Sequence, residues 1–122
     1  MSRQLTRQPS ARSTKSPGDM AIGRGEIWWA EAGSKGRPFL IITRDEVIPV
    51  LRTVLAAPIT RTIRQIPTEV PLGITEGLPV ASAAAMDAVF ALPKSMLVRR
   101  MGALAPERRH EVCDALSAAI DC

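Results

Sequence analysis

The sequence predicts a mainly β domain, a small and strongly bent antiparallel sheet with one helix packed alongside at the C-terminal end. Two observations carry this. Within residues 24–60, three apolar runs are short, rich in β-branched or aromatic residues, and bounded by Gly, Pro or charge, as strands of an antiparallel sheet are. Near the C-terminus, Val112, Ala115, Leu116, Ala119 and Ile120 fall at i, i+3, i+4, i+7 and i+8, which draws one apolar stripe along a helix starting at Pro106.

Taken in order, residues 1–20 are rich in Ser, Thr, Gln and Arg and lack a periodic apolar face, so they read as a disordered basic leader, with Met20 as an alternative start. The ordered domain is expected over residues 21–122. In Glu26-Ile27-Trp28-Trp29-Ala30 the alternation suits a strand with one buried face, and at least one indole is expected in the core. An indole left at a rim can stack on an unpaired base, a role open to Trp29. Gly33-Ser34-Lys35-Gly36 reads as a flexible turn that carries Lys35 over a ligand.

Phe39 to Ile42 is uninterrupted apolar sequence, as in a central strand buried on both sides. Arg37 stands at its start, where a strand can aim a long side chain into a groove; a solvated arginine is the plainer alternative. Thr53 to Thr60 is the next strand, and Pro58 within it argues for a sheet margin or a bulge. Thr60 follows that irregularity, although threonine is also an ordinary strand residue. Arg61-Thr62-Ile63-Arg64-Gln65 is a basic stretch, either a phosphate-contacting patch or a solvated loop.

Residues 68–72 read as a strand and residues 73–77 as its closing turn. Residues 81–91 hold the conflict of the chain, because five alanines between 81 and 88 favour a helix on propensity alone. A short helix at residues 93–97 and a strand at residues 101–104 precede the final helix.

Composition narrows the classes. A chain of 122 residues is one domain by size, and buries only about two-thirds of its unfolded surface. No apolar run approaches the ~20 residues a membrane helix needs, and no secretory signal is readable, so the protein is expected in the cytoplasm. The net charge is +4, but four basic residues and one acid in residues 1–20 account for three of those charges. Cys113, Cys122 and the single histidine, His110, are too few and too irregularly spaced for a zinc site or a redox pair, and read as ordinary surface groups.

The order and spacing of these segments resemble the MazF/PemK family of toxin endoribonucleases. The likeness rests on the opening Arg24-Gly25-Glu26-Ile27-Trp28, on Arg37-Pro38 followed by aliphatics, and on a third strand ending in Ile59-Thr60. Ile66-Pro67-Thr68-Glu69-Val70 looks like the fourth strand, and residues 82–97 align without gaps to a strand, a polar corner and a short helix. The resemblance implies an SH3-like, CcdB-like barrel with the C-terminal helix and one or two short helices. On this basis residues 82–92 are expected as strand, corner and strand rather than as a helix.

The resemblance also implies function. Arg37 and Thr60 match the catalytic positions, and Lys35, Arg61, Arg64, Asp87 and Trp29 are the expected RNA contacts. No metal or other cofactor is implied. The partners implied are single-stranded RNA (mRNA, tRNA or rRNA), a second copy in a two-fold homodimer, and an acidic, partly disordered antitoxin that occupies the RNA groove.

The chemistry fits the residues available. Without clustered carboxylates or a histidine pair, RNA can still be cut if the ribose 2′-hydroxyl attacks the adjacent phosphorus, leaving a 2′,3′-cyclic phosphate and a 5′-hydroxyl. Arg37 would stabilise the developing charge, and Thr60 would donate a hydrogen bond to a non-bridging oxygen. A guanidinium is a poor base, so a proton-transfer role for Arg37 comes second. Two departures stand out: Ala88 replaces the family's glutamine, and Phe90 replaces a basic residue. They leave open a weakened barrel that only binds RNA or antitoxin. A gyrase-targeting toxin like CcdB is the other alternative, against which the presence of Arg37 and Thr60 argues.

Overall fold

Gly33 has a φ of 66°, so in the computed structural model, which describes residues 21–120, the chain reverses within two residues and pairs Glu26–Ala32 (β1) directly with Lys35–Ile41 (β2). Glycine at the first position of a two-residue hairpin loop supplies the left-handed backbone such turns require. The predicted four-residue flexible turn is therefore tighter than expected. Lys35 and Gly36 already belong to β2, opposite Ala32 and Glu31.

Thr53–Thr60 (β3) follows, then Glu69–Leu72 (β4), Ser82–Ala85 (β5), Phe90–Pro93 (β6), Leu97–Ala103 (β7) and the helix Arg109–Ile120 (α1). The strands run in the order β4-β5-β3-β2-β1-β7, with β6 also paired to β3. This is a strongly curled antiparallel half-barrel with one C-terminal helix. Short 3-10 turns fill the connections, among them Lys94–Met96 where a short helix was expected. The last strand begins at Leu97 rather than residue 101, because its outer residues pair with β1 as far as Ala30.

The middle of the sheet is buried on both faces. Leu40 and Ile42 pack with Ile27, Ala57, Ile59, Val70 and Met86 on the side that α1 covers through Val112 and Ala115. Phe39 and Ile41 point the other way, against Trp28, Val54, Ala56, Leu92 and Leu97. Trp28 is 1% exposed, which makes it the core indole. The helix stripe holds over its first turns, while Ile120 at its end emerges from the core and is 63% exposed.

The sheet-margin reading of Pro58 is corrected. Pro58 does not mark a sheet margin, since β3 is an interior strand with neighbours on both sides. On one side β3 pairs with β6 up to Ala56 and resumes with β5 only at Ile59, so Pro58 sits where one neighbour hands over to the next. A missing backbone donor is tolerated at that gap. Propensity is likewise overruled in the alanine-rich stretch, as the family resemblance implied. Ala83 and Ala84 pair with β4 on one side and β3 on the other, and the whole of β5 is buried. A helix preference worth under about 1 kcal/mol per residue cannot match two ladders and full burial. The corner Met86–Ala88 then carries the chain across to β6.

Beside β7, the turn after Ile74–Glu76 presses its backbone on the strand. Gly77 has a φ of 97°, and a Cβ there would overlap the Met101 carbonyl. Buried Glu76 ties the region together: its carboxylate accepts the Gly73 amide at 2.6 Å and Arg108 Nη1 at 3.1 Å. Among the described residues, no helix is long and apolar enough to cross a membrane. The leader assigned to residues 1–20, and Cys122, lie outside the described residues.

Gly77→Ala should destabilise the fold by at least about 2 kcal/mol, from left-handed strain plus overlap, and lower Tm by on the order of 10 °C in a thermal melt. A melt unchanged from wild type would show that the turn relaxes away from β7.

Candidate functional site

The register between β2 and β3 sets Phe39 opposite Pro58, Leu40 opposite Ala57 and Ile41 opposite Ala56. Carrying that register on by two residues sets Arg37 opposite Thr60. Directly opposed residues share a face of a sheet, here the face of Phe39. Arg37 and Thr60 line one open cavity of about 740 Å³. The guanidinium is anchored, because Nη2 donates to the Ile59 carbonyl at 3.2 Å. Its remaining N–H groups stay available to the cavity. The Thr60 hydroxyl accepts the Thr62 amide at 3.0 Å, which leaves its own proton free to donate.

A second cavity of about 570 Å³ adjoins the first, and the two share Trp29, Pro38, Ile59 and Arg61. Trp29 is half-buried at this common rim. Its indole N–H donates to Glu31 Oε2 at 3.0 Å, and Arg99 lies over the ring at 5.9 Å. Only glycine fits beneath it: a Cβ on Gly36 would stand 2.6 Å from Trp29 Nε1. Lys35 also lines the first cavity, and the side chains of Lys35 and Arg61 are exposed and carry no ion pair among the described residues.

Arg64 and Asp87 are brought together, but not into the cavities, whose linings include neither. Arg64 Nε donates to Glu69 Oε2 at 3.0 Å, and Nη2 lies 3.6 Å from Asp87. The Glu69 carboxylate also accepts the backbone amides of Arg64 and Gln65, each at 3.0 Å. It therefore pins the loop between β3 and β4, in which Gln65 has a φ of 57°. Burial alone would push the Glu69 carboxyl up, yet the hydrogen bonds from Arg64 and Gln65 outweigh it and hold the group below the usual carboxylate range.

His110 is exposed with Nδ1 3.1 Å from the Glu107 carbonyl, and Cys113 is an exposed free thiol. Among the described residues no group of three or more His, Cys, Asp or Glu side chains is placed to hold a metal ion.

Residues 23–120 match the family described as PemK-like, MazF-like toxins of type II toxin-antitoxin systems. The chain belongs to that family. Among the relatives of this PemK/MazF chain is the probable endoribonuclease MazF5 of Mycobacterium tuberculosis, 43% identical over 81% of this chain and 93% of that protein. The structure of the M. tuberculosis toxin MazF-mt6 superimposes with a TM-score of 0.74 at 36% identity, over 79% of this chain and 96% of that one. A mycobacterial endoribonuclease solved in complex with its cognate antitoxin gives 0.73 at 27% identity, over 83% and 96%.

Within this PemK/MazF fold, sequence reasoning located Lys35, Arg37, Thr60, Arg61 and Trp29 at one groove but missed three of its members. Glu31 lies two residues beyond Trp29 on the same strand face, a relation the alternation contained. Arg99 reaches Trp29 only through the β1–β7 pairing, whose register shifts twice, so no local signal announced it. Phe90 was noted only as a departure, and it lines the first cavity.

A carboxyl held below its ordinary value stabilises the fold above about pH 4.3, and loses that contribution as pH falls through the lowered value. In an NMR titration, the Arg64 and Gln65 amide resonances should move together with a midpoint below the ordinary glutamate value, and should stay flat in Glu69→Gln. A midpoint above that value would mean burial wins over the hydrogen bonds.

Proposed function

We propose that this chain is the toxin of a toxin–antitoxin pair and an endoribonuclease that cuts single-stranded RNA. Membership of the PemK/MazF family and relatives named as endoribonucleases support this reading. The observation that carries it is the pairing of an anchored guanidinium, Arg37, with an available hydroxyl, Thr60, on one face of an open groove.

In this reading the scissile phosphate sits against Arg37 and Thr60. The 2′-oxygen forms its bond to phosphorus as the bond from phosphorus to the 5′-oxygen breaks, giving a 2′,3′-cyclic phosphate. The 2′-hydroxyl proton leaves to solvent, and the departing 5′-oxygen takes a proton from water to become a hydroxyl, so that the Arg37 guanidinium stays charged throughout. Arg37 chiefly stabilises the extra negative charge on the non-bridging oxygens, and Thr60 donates a hydrogen bond to one of them. Nothing in this scheme consumes a metal or another cofactor.

Lys35 and Arg61 would take flanking phosphates, and Trp29 an unpaired base. Arg64 is already ion-paired, so an RNA phosphate reaching it would compete with Glu69 and Asp87. The substrate is assigned as single-stranded because duplex RNA hides its base edges in a deep major groove. mRNA, tRNA and rRNA all offer such strands.

A related endoribonuclease is known in complex with its cognate antitoxin. Carried to this chain, an acidic extended antitoxin segment would cover Lys35, Arg37 and Arg61 and so block the groove. The active form is proposed to be a homodimer, and its place the cytoplasm, where transcripts are.

Purified Arg37→Ala and Thr60→Ala should fold as wild type yet cut single-stranded RNA in chelator about a hundredfold more slowly or worse. Sequencing of the product ends should find 5′-hydroxyls. Unimpaired cleavage by both variants, or 5′-phosphate ends, would remove the assignment.

A further inference from the structure

We infer that Phe90 is a stacking platform for the base of a nucleotide neighbouring the one that is cut, a specificity-determining position that rests on the RNA-cleavage reading above. Phe90 pairs with Ala56 across β6 and β3, and Ala56 lies on the same face of β3 as Thr60. The ring therefore points to the side of the sheet that carries Arg37 and Thr60, and it lines the same cavity.

Its support and its exposure fit the role. The rings of Phe39 and Phe90 meet edge to face, with centroids 5.6 Å apart and planes at 66°. Phe39 is 7% exposed and held in the core, whereas Phe90 is 43% exposed. An edge contact from a fixed partner sets the orientation of a ring while leaving much of its surface uncovered. A rigid, half-exposed aromatic beside two phosphate-binding groups is what an unstacked base needs, because every base presents a π-face. Position selects which base. Ala56 and Thr60 are four residues apart on one strand, on the order of 13 Å. A phosphate held at Thr60 and a base held at Phe90 thus belong to different nucleotides.

The two ends of the groove differ in kind. Trp29 has its indole N–H tied to Glu31 and Arg99 over its ring, a charged surrounding. Phe90 has Leu92, Pro93 and Met96 beside it along the cavity lining, an apolar surrounding that favours stacking without base-edge hydrogen bonds. Phe90 should therefore discriminate by stacking strength, favouring purines over pyrimidines at its position.

The test uses the full chain as wild type, Phe90→Leu, Phe90→Ala and Phe90→Trp, with an RNA containing the preferred cut site and a series in which each flanking nucleotide in turn is made abasic. Leu keeps apolar contact with Phe39, and thermal melts verify that each variant folds. Phe90→Leu and Phe90→Ala should raise KM about tenfold with kcat within about threefold, and Phe90→Trp should restore wild-type KM. At one flanking position, removing the base should affect wild type as much as the Leu substitution does, and should not weaken Phe90→Leu further. Product-end sequencing should show purine preference lost at that position alone.

Independent, multiplying losses at every position, or a Phe90→Leu variant equal to wild type, would overturn the inference while leaving the nuclease reading intact. That result would fit a ring that serves a protein contact. Wild-type protein that cuts no RNA would remove both readings together.

Discussion

Because Phe39 pairs with Pro58, Arg37 falls opposite Thr60, and the groove depends on that register. A slip of one residue would turn either Arg37 or Thr60 to the other face of the sheet. It would also drive Leu40 or Phe39 out of the cluster each now fills, on a strand where both faces are buried. Core packing and site geometry are thus fixed together. The same residues that make β2 uninterruptedly apolar are what hold its polar start at a defined place.

A second consequence follows from the strong curl. One strand, β3, serves β2 along one edge and divides its other edge between β6 and β5. The division falls at Pro58, two residues before Thr60, and the corner at Met86–Ala88 fills the connection between the two neighbours. The outcome is a strand end that leaves the sheet's interior with Thr60 and Arg61 at its tip. Phe90 opens the neighbouring strand on the same side. Elements chosen for packing therefore deliver a cation, an alcohol and two aromatic rings to one groove.

Much of this was legible in the sequence where signals are local. The strand limits of β3, the burial of Phe39 to Ile42, the helix stripe and the choice of Arg37 and Thr60 all rest on short patterns or on an ordered series of short motifs. Resemblance and propensity disagreed over residues 81–91, and the structure shows why propensity failed: β5 lies between two strands that pair with its backbone on both sides, and all four of its residues are buried. Other features were hidden because they depend on pairing between distant segments. Neither the stack of Arg99 on Trp29 nor the interior place of Pro58 can be seen without knowing which strands adjoin. Arg64 looked like a free phosphate contact until Glu69, five residues on, proved to bind its side chain and its backbone.

The central claim is that Arg37 and Thr60 act on one phosphate. Its most direct test is a crystal structure with single-stranded RNA carrying a 2′-deoxyribose at the cut site, which removes the attacking hydroxyl while leaving the backbone intact. The account predicts the scissile phosphate in the first cavity, with its non-bridging oxygens within hydrogen-bond distance of both the Arg37 guanidinium and Thr60 Oγ1. RNA bound with that phosphate out of reach of either group would contradict it.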